Sequence, residues 1–269
     1  RGAGRPGENR GARHVLADGA LLNGARIAAR AVSVVGFLLL WEVAARLAGS
    51  RLLPTASAVV AMMAHEAASG DLLFNLGITL LRVAASFAIA MVLGTALGLA
   101  LGVWRWLDLA FDSWLIVLLN MPALVLIVLM YVWFGLNEPT AVIAVALNKL
   151  PSTAVTVREG ARALDRGLME MAQSYRMGRL ATLRHVVLPQ LHPYLFAAAR
   201  AGLAIIWKIV LVVELLGRSN GVGFAIEEYF QLFDVTRILA YTLAFILVVQ
   251  AIEWGLWQPL ERRANRWRR

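Results

Sequence analysis

Four ionisable side chains stand inside otherwise apolar runs: Glu42, Lys149, Lys208 and Glu214. A charge at the centre of a bilayer costs at least about 2.5–3.5 kcal/mol, so each needs a partner, water or a task. Lys208 and Glu214 are six apart, roughly 240° around a helix, so neither is the other's partner. Glu42 is read as facing the bundle or a neighbouring helix. An aqueous pathway facing Lys149 or Lys208 would attract anions, although Lys149 also has the length to reach headgroups. Arg82, Arg200 and Glu253 lie nearer span ends, within reach of the interface. Asn120 with Pro122, and Asn148 with Pro151, put amides beside helix-breaking residues in successive spans. Proline frees backbone carbonyls and lets a helix bend, which suits a pathway that opens and closes as well as it suits a static kink. The candidate pathway set is therefore Asn120, Pro122, Asn148, Lys149, Trp207, Lys208 and Glu214.

Other chemistry finds no support. The chain has no cysteine, which removes disulfides, thiol nucleophiles and thiolate metal sites. His14, His65, His185 and His192 form no HxH or HxxxH spacing, so no metal site is expected. There is no GxxxxGK[ST] loop and no HExxH. The one GxSxG, Gly217 to Gly221, follows an apolar helical run instead of the strand a nucleophile elbow requires, so it reads as a polar turn. The expectation is a protein that is not an enzyme and holds no cofactor.

These residues are positioned by long apolar elements. Of 269 residues, 60% are hydrophobic and 16% charged, and the mean hydropathy is +0.68. An ordinary soluble chain is about 45–50% apolar and about 25% charged. The expected class is all-α, a polytopic membrane protein seated in a lipid bilayer. The net charge of +9 follows membrane topology, with no nucleic-acid partner implied.

A bilayer core about 30 Å thick needs roughly 20 helical residues. Six spans are expected, near 31–48, 76–104, 113–134, 141–157, 194–216 and 238–257. The second carries Gly94, Gly98 and Gly102, a flat strip on which another helix can pack closely. A signal-peptide reading of 26–50 is set aside, because the apolar core is long and the loop charges need this span. With the amino end inside, the inside loops 104–112, 158–192 and 258–269 hold most of the arginines outside the tail 1–30, and the outside loops hold only Arg51, Arg218 and Arg237. Trp104, Trp106, Trp254 and Trp257 fall where an inner aromatic belt lies. The organisation expected is a cytoplasmic basic tail 1–30, a membrane domain 31–260 with a cytoplasmic loop at 158–192, and a basic cytoplasmic tail 261–269.

The longest polar interruption in the second half is 166–193. Leu168, Met171, Ala172 and Tyr175 give it one apolar helical face. Gly178 is expected to take the left-handed conformation that ends this helix, and a second short run to reach Leu188 before Pro189 stops it. A helix–turn–helix on the wet side of a membrane is a docking device.

The chain resembles the membrane-spanning subunit of ATP-binding-cassette importers, in the nitrate/sulfonate/taurine permease family. That family's cytoplasmic loop reads E-A-A, three residues, G, nine residues, I-x-L-P. Here Glu170-Met171-Ala172 matches its start and Val186, Leu188 and Pro189 keep the register at its end. Arg176 occupies the glycine position, with Gly178 two residues later. In order along the chain, Gly70, Thr79-Leu80-Leu81-Arg82, Met121-Pro122, Phe134-Gly135, Gly160 to Asp165, Trp207, Glu214 and Gly221-Val222-Gly223 resemble further family pieces. The likeness covers about 31–269.

The resemblance implies about six transmembrane helices of type I ABC importer architecture in a bacterial inner membrane, with both termini cytoplasmic. It implies two copies forming the pore, two copies of an ABC ATPase subunit beneath them, and a periplasmic or extracellular solute-binding protein outside. Glu170, Met171, Ala172, Tyr175, Arg176, Gly178, Leu188 and Pro189 would contact the ATPase. The cargo would be a small, anionic solute such as nitrate, a sulfonate, taurine or a related organic acid. The alternative is a secondary transporter or channel working without an ATPase.

Overall fold

A computed structural model describes residues 29, 32–257 and 259. The basic tails expected at 1–30 and 261–269 lie outside it, residue 29 excepted. Helices follow one another along the described chain: α1 (32–48), α2 (Ala56–Ser69), α3 (Asp71–Val103), α4 (Arg105–Asn120), α5 (Ala123–Phe134), α6 (Glu138–Arg162), α7 (Arg166–Ser174), α8 (Arg179–Thr182), α9 (Leu188–Gly217), α10 (Val222–Gln231) and α11 (Val235–Ile252). No strand occurs among the described residues.

The centre is a three-helix layer of α3, α6 and α9. Gly94 of α3 meets Thr153 of α6, Gly98 meets Ala154 and Gly102 meets Ala161, so these two helices run parallel. The glycines bring the α3 backbone against carbonyl oxygens and short side chains of α6. A Cβ at Gly98 would stand 2.5 Å from the Ala154 carbonyl oxygen, and one at Gly102 would stand 2.4 Å from the Ala161 Cβ. The four-residue glycine spacing is thus a packing face, as read from the sequence. α9 runs antiparallel to both: Tyr194 near its start lies against Gly160, and Glu214 near its end lies against Arg82. Ile127, Ala144, Ile206, Val210, Val222 and Tyr241 knit α5, α6, α9, α10 and α11 into the principal apolar core.

Four helical stretches among the described residues are long and apolar enough to cross a bilayer: Asp71–Val103, Glu138–Arg162, Arg179–Gly217 and Val235–Gly255. α4 and α5 pass that test only as a pair, and they bend by 101° at Met121-Pro122. The expected third span is therefore broken. Pro122 lacks an N–H and caps α5 in an extended conformation, while Asn120 Nδ2 turns back to the Ile116 carbonyl at 2.8 Å. Pro151, by contrast, leaves α6 continuous. α1 corresponds to the first expected span, and the residues preceding it at 30 and 31 are outside the description. Trp104, Trp106 and Trp254 are exposed at the ends of their elements, consistent with an interfacial belt.

Pro189 does not stop the helix that precedes it. The backbone widens to a π-turn over Leu183–Val187, with the Leu188 N–H bonded to the Leu183 carbonyl, and helix runs from Arg179 to Gly217 over 39 residues. The wider turn removes the clash that the proline ring would make with the carbonyl four residues back.

Candidate coupling loop and membrane-embedded ion network

α7 starts at Asp165, whose side chain accepts from the Leu168 N–H at 3.1 Å. The Asp165 N–H itself donates to Gln190 Oε1 at 2.8 Å, which fastens the loop to the foot of α9. Met169 packs towards Ala161, Val187 and Leu191, and Ala172 is buried. Leu168, Met171 and Tyr175, three and four apart, stay outside on one strip; Tyr175 is 77% exposed and Leu180 beyond it 78%. The expected apolar face is thus divided: Ala172 seats the helix and the other three remain without cover. Glu170, Arg176, Gly178, Leu188 and Pro189 are exposed as well.

α7 ends in a Schellman motif. The Met177 N–H bonds the Ala172 carbonyl and the Arg176 N–H bonds the Gln173 carbonyl, both at 2.9 Å. The motif needs a left-handed residue at the position of Arg176, which has φ 50°. Gly178, expected to take that conformation, is extended at φ −62° and caps α8. Arg176, where the resemblance expects a glycine, therefore holds a left-handed backbone at a cost of about 1–2 kcal/mol.

At the opposite end of the layer, Glu214 of α9 is 0% exposed and receives three groups. Arg82 Nη1 donates to it at 2.7 Å, the Gly223 N–H at 2.9 Å, and Thr79 Oγ1 lies 2.9 Å away. Arg82 also grips Glu138 with Nε at 2.9 Å and Nη2 at 2.5 Å, and bonds the Asn220 carbonyl and side chain. Arg218 donates to the same Glu138 at 2.6 Å and to the Leu136 carbonyl at 3.0 Å. Two arginines and two glutamates balance. The turn after α9 closes over them because Gly221, at φ +105°, has no side chain: a Cβ there would stand 2.4 Å from Glu214 Cδ. The Gly217–Gly221 pattern is therefore part of a turn between two helices, as expected.

The sequence reading missed this pairing and sent Arg82 to the headgroups. Arg82 is buried instead, because a guanidinium with two carboxylates and a backbone carbonyl in reach is satisfied inside the protein. The usable signal was present in two unmatched charges of opposite sign, Arg82 and Glu214, each inside a family-like piece. Glu42 pairs within its own helix, at 2.7 Å from Arg46, and accepts from Ser57. Arg200 reaches Glu253 at 3.5 Å.

The other expected pathway residues are not brought together. Trp207 is buried edge-on to Phe245, ring centres 6.0 Å apart. Asn120 and Pro122 are exposed at the α4–α5 break and Asn148 is half-buried. Lys149 is 4% exposed, donates to Ser152 Oγ at 2.6 Å, and fills the space beside Gly202 of α9. Lys208 is exposed and has no ion-pair partner among the described residues.

Residues 90–254 match the family described as binding-protein-dependent transport system inner membrane component, and this is more than half of the chain. The chain belongs to this permease family. It is 31% identical over 235 residues to the putative aliphatic sulfonates transport permease protein SsuC of Escherichia coli K12, covering 87% of this chain and 89% of the relative. Similarity extends to the taurine transport system permease protein TauC of the same organism, 24% identical over 72% and 70% of the two chains. The bicarbonate transport system permease protein CmpB of Synechococcus elongatus is 26% identical over 77% and 78%. A solved amino acid ABC transporter superposes with TM-score 0.57 at 22% identity, covering 74% of this chain and 97% of that one. The MetNI methionine transporter, inward facing, gives 0.57 at 17%, over 70% and 91%; both show a shared fold. The permease is thus a multi-pass membrane subunit of an ATP-driven importer, which displaces the reading as a gradient-driven transporter or channel.

Proposed function

We propose that this permease forms, with a second copy, the translocation pathway for a small anionic solute and is driven through α7–α8 by ATPase subunits that are separate chains. The observation that carries this reading is the uncovered strip of Leu168, Met171, Tyr175 and Leu180, flanked by arginines. It stands directly on a 39-residue helix that runs to Glu214 and beyond. A push on the strip has a stiff element to travel along. ATPase closure would rotate α3, α6 and α9 as a body between two orientations, a rigid-body transition. The arginine-rich loops support a cytoplasmic position for the strip and both termini in a bacterium, with a solute-binding protein meeting the opposite face. Sulfonate, taurine and bicarbonate, named for three relatives, each carry an anionic group, which supports an anionic cargo here. In this reading Glu170, Met171, Tyr175, Arg176, Gly178, Leu188 and Pro189 meet the ATPase, and Ala172, which is buried, acts from inside by seating α7.

Reconstitution into vesicles tests this reading. Uptake of an anionic solute is expected only with ATP, the ATPase subunits and the loaded binding protein together, and unchanged by a protonophore. Uptake that survives without ATP and stops with the protonophore would overturn it.

A further inference from the structure

The sequence leaves two lysines as candidates for meeting an anion inside the membrane, and the structure separates them. Lys149 is packed between α6 and α9 with its ammonium on Ser152. Lys208 sits on the opposite side of α9, in an exposed row with Ala201, Ala204, Ile205, Val212 and Leu215. The row repeats at three and four residues, so it is one face of the helix. The other face, with Gly202, Ile206 and Val210, is buried in the layer. Lys208 lies about 13 Å along the axis from Gly217, within a stretch long and apolar enough to cross the bilayer. A four-carbon stem does not cover that distance, and an ammonium facing hydrocarbon there is costly. Its face must therefore meet something polar outside the single chain. Alanines at 201 and 204 leave room beside it for water or a solute.

We infer that Lys208 is the specificity-determining residue of the pathway, an ammonium that receives the negative group of the passing solute where the α9 faces of two copies line it. This rests on the reading of the chain as a pathway-forming permease for anions. A solvated point charge attracts a passing anion without holding it, since a pair at about 4 Å in high dielectric is worth only about a factor of five. That suits a residue over which a solute must leave as readily as it arrives.

The test uses the assembled importer in vesicles with taurine, ethanesulfonate and bicarbonate as probes. For a probe that the wild type carries, uptake is expected to fall about fivefold in Lys208→Gln and further in Lys208→Glu, and to stay within about twofold in Lys208→Arg. Glutamine and glutamate have nearly the same shape, so a sign-ordered series reports charge and not packing. Co-purification of each variant with the ATPase shows that the assembly has formed. Wild-type uptake in Lys208→Gln, or equal losses in the Arg, Gln and Glu variants, overturns the assignment alone. A wild-type assembly that carries none of the three probes but imports a solute with no anionic group overturns the anionic reading and the assignment with it.

Discussion

Arg82→Met is expected to lower the stability of the permease in detergent by about 3–5 kcal/mol. The substitution keeps the length of the stem and removes the guanidinium. Glu214, with no exposed surface, would keep the Gly223 N–H and the Thr79 hydroxyl but lose the charge that balances it. A buried ion pair adds little over an apolar pair of the same shape, yet removal of one partner leaves an uncompensated charge, and that is the source of the magnitude. Glu138 would retain Arg218 as its partner. The companion Arg82→Met/Glu214→Gln variant should recover a large part of the loss, because the stranded charge is gone. Thermal unfolding followed by loss of the monodisperse peak measures both. Equal stability of Arg82→Met and the wild type would mean that the network does not hold the α9–α10 turn against α3.

The second large effect lies at the α3–α6 crossing. Gly98→Ile is expected to cost about 3 kcal/mol, because the new side chain would start 2.5 Å from a backbone oxygen of Ala154 and cannot be relieved by turning a rotamer. The helices would have to separate along the whole strip. Gly77 in the same helix is the control, since nothing lies within 4 Å of a Cβ there. Gly77→Ala should be neutral or stabilising by about 0.8–1 kcal/mol from helix propensity alone. Parallel melting curves separate the two: a clear loss at 98 and none at 77 are expected, and a tolerated isoleucine at 98 would contradict the close approach.

The same two sites show what a sequence discloses. The glycine strip was legible because helix geometry converts spacing into a face: every fourth residue small means one flat side, whatever the partner. The long apolar runs were legible for a similar reason, since lipid demands an unbroken stretch of one composition. Arg82 with Glu214 was not, because the two are 132 positions apart and nothing in the local pattern states which helices touch. Prolines were ambiguous in a different way. Pro122 breaks its span, Pro151 bends nothing that ends the helix, and Pro189 is absorbed by a π-turn; the outcome depends on which neighbours can satisfy the freed carbonyls. At Arg176 the register pointed to the right position, but a left-handed arginine runs against intrinsic preference, so the nearby glycine drew the expectation. Tertiary closure of α7 prevailed over that preference.

In the proposed mechanism, force enters the membrane domain through the α7–α8 strip. The chain has no cysteine, so Tyr175→Cys supplies a single thiol in the middle of that strip. The measurement is its rate of reaction with a maleimide in vesicles, with and without the ATPase subunits, together with ATP-driven uptake after cross-linking it to them. The prediction is strong protection by the ATPase, uptake blocked by a disulfide cross-link and restored by reduction. A thiol that reacts equally fast in both states, with an ATPase complex that survives deletion of 168–180, would rule out the strip as the point where the ATPase acts.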